Sequence, residues 1–378
     1  MNWTANPVNA AARRASGSLL QRVLRLDAVL LGLLSLLAGL GLIVLYSAFG
    51  NRIDPVQGHA LRLAAGLALM LLVAQIPPWR LLPLAPWAYG LGLILLAAVF
   101  VLGETGGGAR RWLDLGPVGF QPSELMKLAL PMMVAWLLSR AALPASAGRA
   151  LAALALIAVP VGMIALQPDL GTAVLVAASG LAVVFLAGLG WRIIAALAAL
   201  VTAALPLLWI FGMQDYQRRR VLMFLDPERD PLGAGYNIIQ AQIAIGSGGI
   251  FGKGWLNGTQ AHLDFIPERH TDFVFAVLAE EFGLLGVLAT VALYAAIIAR
   301  ALWIARDAQD NFSRLLAGGL ALTFFVYTFV NMGMVAGLLP VVGLPLPLIS
   351  YGGSSIVTLM AGFGILMSIH SHRRMWSA

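Results

Sequence analysis

Apolar runs of about 18 or more residues recur along the whole of this 378-residue chain, each able to cross a hydrocarbon layer of about 30 Å as a helix. Lipid cannot hydrogen-bond a backbone, so helices and closed barrels are the only spanning solutions, and these runs are too long for barrel strands. The expected fold is an all-α polytopic membrane protein. Composition agrees: 60% of residues are hydrophobic and 11% charged, against roughly a quarter charged in soluble domains. No small-residue cleavage site follows the first apolar run, which therefore reads as a retained signal anchor.

About ten spans are expected, near 27–48, 60–76, 86–103, 122–140, 150–167, 170–189, 192–212, 272–304, 314–338 and 348–369. They form a single transmembrane domain with a polar basic segment at 1–25, a long loop at 213–271 between spans 7 and 8, and a short tail at 370–378. An even count puts both termini on one side. Short loops on that side hold Arg80, Arg140, Arg149, Arg192, Arg300, Arg306, Arg314, Arg373 and Arg374, and those on the other only Arg52, Arg62, Arg110 and Arg111. Cytoplasmic loops retain positive charge, so both termini are assigned to the cytoplasm and the long loop to the outside. The net charge of +7 is distributed between spans rather than gathered in one patch, which argues against nucleic acid. With no Cys, disulfides, thiolate chemistry and Cys-ligated metals are excluded.

Against this background, polar residues at membrane depth stand out, because they are costly there unless they face a cavity or pair with one another. Glu124 and Lys127, in Gln121-Pro-Ser-Glu-Leu-Met-Lys127, lie three apart on one helix face after Pro122 at a first turn. They read as a cavity wall or as an ion pair that only fixes the helix. Asp169, between two spans, suits a helix N-cap, a site role, or both. Trp255 to Gly283 is the densest polar stretch, with Glu268, Arg269, His270 and Asp272 immediately before an apolar helix and Glu280 and Glu281 within it. Asp272 alone would be an N-cap; in this company it is a candidate general base, since partial desolvation raises a carboxylate pKa. No His spacing supports a metal site using His262 or His270. From Gly337 to Ser355, prolines and glycines forbid a regular helix, and Ser350-Tyr-Gly-Gly-Ser-Ser355 resembles a nest of N–H groups for an anion such as phosphate.

Five motifs in order carry a resemblance to the SEDS family (shape, elongation, division and sporulation). They are Arg111-Trp112-Leu113, Gln121 to Lys127, Gln167-Pro-Asp-Leu-Gly-Thr172, Pro267-Glu-Arg-His-Thr-Asp-Phe273 with Ala279-Glu-Glu281, and Pro345 to Ser355. Val342-Gly-Leu-Pro-Leu-Pro347 and the Glu-Arg before His270 resemble the elongation branch more than the division branch. The resemblance implies a peptidoglycan glycosyltransferase of the bacterial cytoplasmic membrane that polymerises lipid II at the outer face. It further implies a class B penicillin-binding protein as crosslinking partner, beside other membrane proteins of the elongation complex. The family's essential loop Asp maps onto Asp272, its loop Trp onto Trp112 and its buried pair onto Glu124 and Lys127, with Asp169 matching a further acidic position.

Sugar transfer from a polyprenyl diphosphate needs a base for the acceptor hydroxyl, here Asp272, and charge to meet the departing diphosphate. The candidates for the diphosphate are Arg110, Arg111, Lys253 and Arg269, alone or with Mg²⁺ or Mn²⁺; no organic cofactor is expected. His270, Ser350 and Ser354 complete the candidate binding set. Rival readings are a lipid II flippase, a non-catalytic scaffold for wall synthesis, and a solute transporter, the last disfavoured because the polar cluster is not at mid-membrane.

Overall fold

The computed structural model describes residues 26–106, 109–114, 119–188, 215–226, 235–263 and 265–372, with scattered positions between 195 and 210. The expected span 192–212, the N-terminal segment 1–25 and residues 373–378 of the tail therefore lie essentially outside the described residues. Among the described residues, seven helices are long and apolar enough to cross a membrane: α1 (Ala28–Ala48), α2 (Ile53–Ala74), α3 (Pro78–Leu102), α5 (Ala147–Leu166), α10 (Val274–Arg306), α11 (Asn311–Val335) and α12 (Ser354–Ser371). Two more expected spans are helices α4 (Pro122–Ser139) and α6 (Leu170–Leu186). The long loop adds α7 (Asp215–Leu225), α8 (Tyr236–Ser247) and the single turn α9 (Thr259–His262).

Two boundaries differ from the sequence reading for a physical reason. Helix α2 starts at Ile53 rather than near 60, so Asp54, Gln57, His59 and Arg62 belong to a helix and not to a loop. In its N-terminal half Asp54 and Gln57 are exposed, His59 is buried and Arg62 lines a cavity, and a window searching for apolar residues discards all four. Helix α3 starts at Pro78, with Pro83 and Pro86 inside it; each forfeits one backbone bond, which membrane helices tolerate where neighbours satisfy the freed groups. The segment read as loop after α3 pairs as a small antiparallel sheet, β1 (Glu104–Gly106), β2 (Ala109–Asp114) and β3 (Gly119–Phe120). The chain is thus helical with a β cap.

At the centre stands α4, buried along most of its length and packed by α3, α5, α6, α11 and α12. Small residues permit the close crossings: Gly66 of α2 meets Ile356 and Met360 of α12, and Gly319 of α11 meets Val183 of α6. Helix α10 is broken at Gly283, whose φ of 63° and ψ of −163° are open essentially to glycine alone. The backbone groups freed by the break are met by the glycine-rich loop after α8. Lys253 and Gly254 donate to the carbonyls of Glu280 and Glu281, both at 3.0 Å, while Leu284 and Leu285 donate to those of Gly249 and Ile250 at 2.9 and 3.1 Å. A Cβ on Gly283 would collide with the backbone of Ile250 and Gly252.

Candidate active site

Between β2, α2, α4, α6, α11 and the start of α12 lies a cavity of about 410 Å³, within the size range of small-ligand sites. Its walls are unusually polar for a membrane protein: Arg62, Arg111, Trp112, Gln121, Glu124, Lys127, Asp169, Thr172, Tyr327, Tyr351, Ser354 and Ser355.

Helix α4 supplies the floor. Pro122 and the β-region backbone of Gln121 start it, and the three-residue spacing lets Lys127 Nζ donate to Glu124 Oε1 at 2.7 Å. Both side chains are buried, and the ammonium also lies 4.9 Å from the centre of the Tyr327 ring. Asp169 caps α6, as expected, and also lines the cavity. Its Oδ1 accepts from Thr172 N at 3.3 Å, capping α6; Oδ2 accepts from Gln121 Nε2 at 3.0 Å, and Arg111 approaches to 3.6 Å. Trp112 on β2 packs over Gly119 and presents its remaining surface to the cavity. The Arg110 side chain lies outside the described residues.

Asp272 adjoins this cavity at Gly343, where a Cβ would sit 3.4 Å from Asp272 Oδ2. Gly343 holds a φ of 73°, so both conformation and space favour glycine there. Asp272 does not cap α10; that position belongs to Phe273, without a side-chain bond. Its position instead comes from two irregular segments joined to each other, 267–273 and 343–351. Asn331 of α11 donates to the carbonyls of Asp272 at 3.0 Å and Leu344 at 2.5 Å. Ser350 Oγ donates to Thr271 O at 2.5 Å and accepts from Leu346 N at 2.7 Å. Tyr351 N donates to His270 O at 2.8 Å, and Tyr294 OH to Pro347 O at 2.5 Å. Irregular backbone at this depth survives only where protein satisfies its polar groups.

The remaining candidates are placed elsewhere. Ser350 is buried, and its hydroxyl serves the joint just described; Ser354 does line the cavity. Arg269 Nε donates to Ala48 O at 2.6 Å, at the end of α1. His270 packs its ring against Phe49 and Tyr351. Burial lowers its pKa, aided by the neighbouring Arg269 and opposed by Glu268. Lys253 forms an ion pair with Glu280 at 2.7 Å and meets Thr259 at 2.8 Å. Glu281 receives the Ser47 hydroxyl. The two Glu of α10 therefore belong to a separate cluster and do not share the Asp272 environment.

Six polar cavity residues were not among the candidate site members: Arg62, Gln121, Thr172, Tyr327, Tyr351 and Ser355. Asn331 escaped as the residue that holds Asp272, although a fully buried Asn in an apolar helix was itself a signal. Among the described residues no group of three or more His, Asp or Glu is placed to hold a metal ion. The carboxylates lining the cavity, Glu124 and Asp169, each already face a cation.

Comparison with known proteins gives this geometry its context. Over 352 residues the chain is 56% identical to the peptidoglycan glycosyltransferase MrdB of Escherichia coli K12, covering 93% of this chain and 95% of that one. Its fold superposes, with a TM-score of 0.82 and 37% identity, on a chain of a peptidoglycan synthase complex that coordinates polymerization and crosslinking, covering 93% of this chain and 99% of that one. It also superposes on the rod shape determining protein RodA of Thermus thermophilus, with a TM-score of 0.70, 34% identity and coverage of 92% and 98%. The family model for cell cycle proteins of the FtsW, RodA and SpoVE type matches residues 27–375. Five motifs in order, a multi-pass helical frame and a match over nearly the whole length lead to one conclusion: this chain belongs to the SEDS family, the cell cycle protein family of FtsW, RodA and SpoVE.

Proposed function

We propose that the chain is a peptidoglycan glycosyltransferase that polymerises lipid II during cell elongation, with Asp272 as general base. The observation that carries this reading is a carboxylate adjoining a polar, cationic cavity inside a membrane protein. In the reaction, the acceptor sugar's hydroxyl oxygen attacks the anomeric carbon of the lipid-linked donor. The bond from that carbon to the diphosphate oxygen breaks, and the diphosphate leaves with the electron pair. The hydroxyl proton passes to Asp272, a contribution typically of about 10²–10⁴-fold. Attack opposite an α-linked diphosphate gives a β-linked strand, so the transfer inverts. Trp112 offers a stacking face for a sugar, and the cavity cations meet the developing phosphate charge. A divalent cation, Mg²⁺ or Mn²⁺, would add to the charge that meets the departing diphosphate.

A class B penicillin-binding protein as crosslinking partner is supported by the synthase complex among the structural relatives. The elongation role is supported by the Thermus rod-shape protein. Both termini are placed in the cytoplasm and the cavity at the periplasmic face. Arg asymmetry between short loops supports this. Asp27, Arg300 and His370, with Arg300 2.8 Å from Asp27, cluster at the opposite helix ends from the cavity. The test is glycan synthesis from lipid II by purified protein with its partner, resolved by length on gels. Polymer supports the reading. Lipid II translocation without polymer would indicate a flippase, and neither activity would indicate a scaffold.

A further inference from the structure

The cavity contains a cation that its own carboxylates do not balance. Of the described side chains lining it, Arg111 lies 3.6 Å from Asp169 and Lys127 2.7 Å from Glu124. Arg62 of α2 has no carboxylate at ion-pair distance among the described residues, and its Nη1 is buried without a hydrogen-bond partner. Its guanidinium stands 4.7 Å from the centre of the Tyr351 ring. That contact leaves the buried Nη1 donor without a hydrogen-bond partner. Arg62 is half-buried, with Nη1 shielded from water, and the polar space it faces is where a partner for that donor would enter.

A second observation lies beside it. Helix α12 begins at Gly353 with no side-chain cap, and Gly352, Gly353, Ser354 and Ser355 line the same cavity. Uncapped first-turn N–H groups and the helix dipole favour an anion. Arg62 Nε lies 4.0 Å from the position a Gly353 Cβ would take. The guanidinium and the helix start thus converge on one volume from two elements.

We propose that Arg62 binds the diphosphate of the lipid-linked substrate against the N-terminus of α12. This rests on the glycosyltransferase reading for its substrate, and deepens it by naming which cation takes the leaving group. Arg62 supplies planar donors to phosphate oxygens, and the α12 backbone supplies N–H groups from the other side. Lys127 remains bonded to Glu124, and Arg111 stays near Asp169 with its Nε also buried without a partner, so Arg62 is distinguished by having no carboxylate at ion-pair distance among the described residues.

The experiment uses full-length protein in nanodiscs, as wild type, Arg62→Gln and Arg62→Lys. Binding of undecaprenyl diphosphate is measured directly, with inorganic pyrophosphate as competitor, alongside KM and kcat for lipid II with the partner present. Loss of a charge-assisted contact predicts affinity about 10- to 100-fold weaker in Arg62→Gln, an intermediate loss in Arg62→Lys, and a raised KM with kcat less changed. Pyrophosphate is expected to compete in wild type. Melting of Arg62→Gln close to the wild-type temperature is also expected, because the guanidinium is half-buried and has no carboxylate at ion-pair distance among the described residues. Unchanged undecaprenyl diphosphate affinity in Arg62→Gln overturns the proposal. So does a lowered melting temperature with affinity intact, which would make Arg62 a support for Tyr351 alone. Failure of pyrophosphate to compete in wild type overturns it as well, since the isoprenoid chain would then be what binds. If wild type binds undecaprenyl diphosphate in an Arg62-dependent way but makes no glycan, the anion site stands and the polymerase reading falls.

Discussion

Replacing Asn331 by leucine removes the side chain that ties the Asp272 loop to α11. Asn331 is fully buried, and its amide donates to two carbonyls, those of Asp272 and Leu344. Leucine has a similar size but no donor, so both acceptors lose their partner in a place water does not readily reach. Each orphaned group costs about 1–3 kcal/mol, or about 2–6 kcal/mol for the two. Asn331 Oδ1 is itself buried without a partner, so its removal, with the added apolar burial, returns about 1–2 kcal/mol. The net loss is about 0–5 kcal/mol, centred near 2–3 kcal/mol. The catalytic consequence is larger than the stability loss suggests, because a displacement of about 1 Å at a reacting group can cost on the order of 10²-fold in rate. Purified variant protein should melt several degrees lower and polymerise lipid II at least about tenfold more slowly, with lipid II binding closer to wild type. Wild-type melting together with wild-type polymerisation would refute the reasoning that Asn331 sets the position of Asp272.

Other substitutions probe separate parts of the account. Lys253→Met should leave the Glu280 carboxylate buried and unpaired at a cost of about 3–5 kcal/mol, and adding Glu280→Gln should restore much of the melting temperature. If Lys253→Met instead left stability intact and raised only the KM for lipid II, Lys253 would be a substrate ligand after all. Gly283→Ala would force a Cβ into the 250–252 backbone and add about 1–3 kcal/mol of dihedral strain; a sharp drop in folded yield on size exclusion is expected, and normal yield would contradict the broken-helix geometry. Burial holds the His270 pKa below its ordinary value, so the unfolded chain binds this proton more readily. Stability from neutral His270 is therefore full above about pH 6.5 and declines as pH falls from there through the folded-state value. His270→Gln should flatten that part of the melting-temperature profile, and an unaltered profile would count against it.

The helical membrane architecture and the polar motifs were readable from the chain because lipid imposes a coarse, local rule: long apolar runs span, and charges among them need a reason. Spacing was enough to pair Glu124 with Lys127, and a tight connection was enough to suggest Asp169 as a cap. What escaped depends on distant chain segments meeting. Arg62 was assigned to a loop because hydropathy cannot distinguish a solvated loop from a helix face turned toward an internal cavity. Lys253 resembled a diphosphate ligand until folding placed it on Glu280, 27 residues away in sequence. Ser350 resembled part of an anion nest, yet its hydroxyl is committed to Thr271 and Leu346. The break at Gly283 has no periodicity signal, since Glu280 to Phe282 before it and Leu284 and Leu285 after it are all compatible with a helix.

The most direct test of the central claim is lipid II polymerisation by the purified Asp272→Asn protein with its transpeptidase partner, with lipid II binding measured in the same preparation. Asparagine keeps the size of the side chain and removes its capacity to take the acceptor proton. The account predicts a loss of glycan synthesis on the order of 10²-fold or more, with folding and lipid II binding retained. Glycan strands made at the wild-type rate by that protein would contradict it.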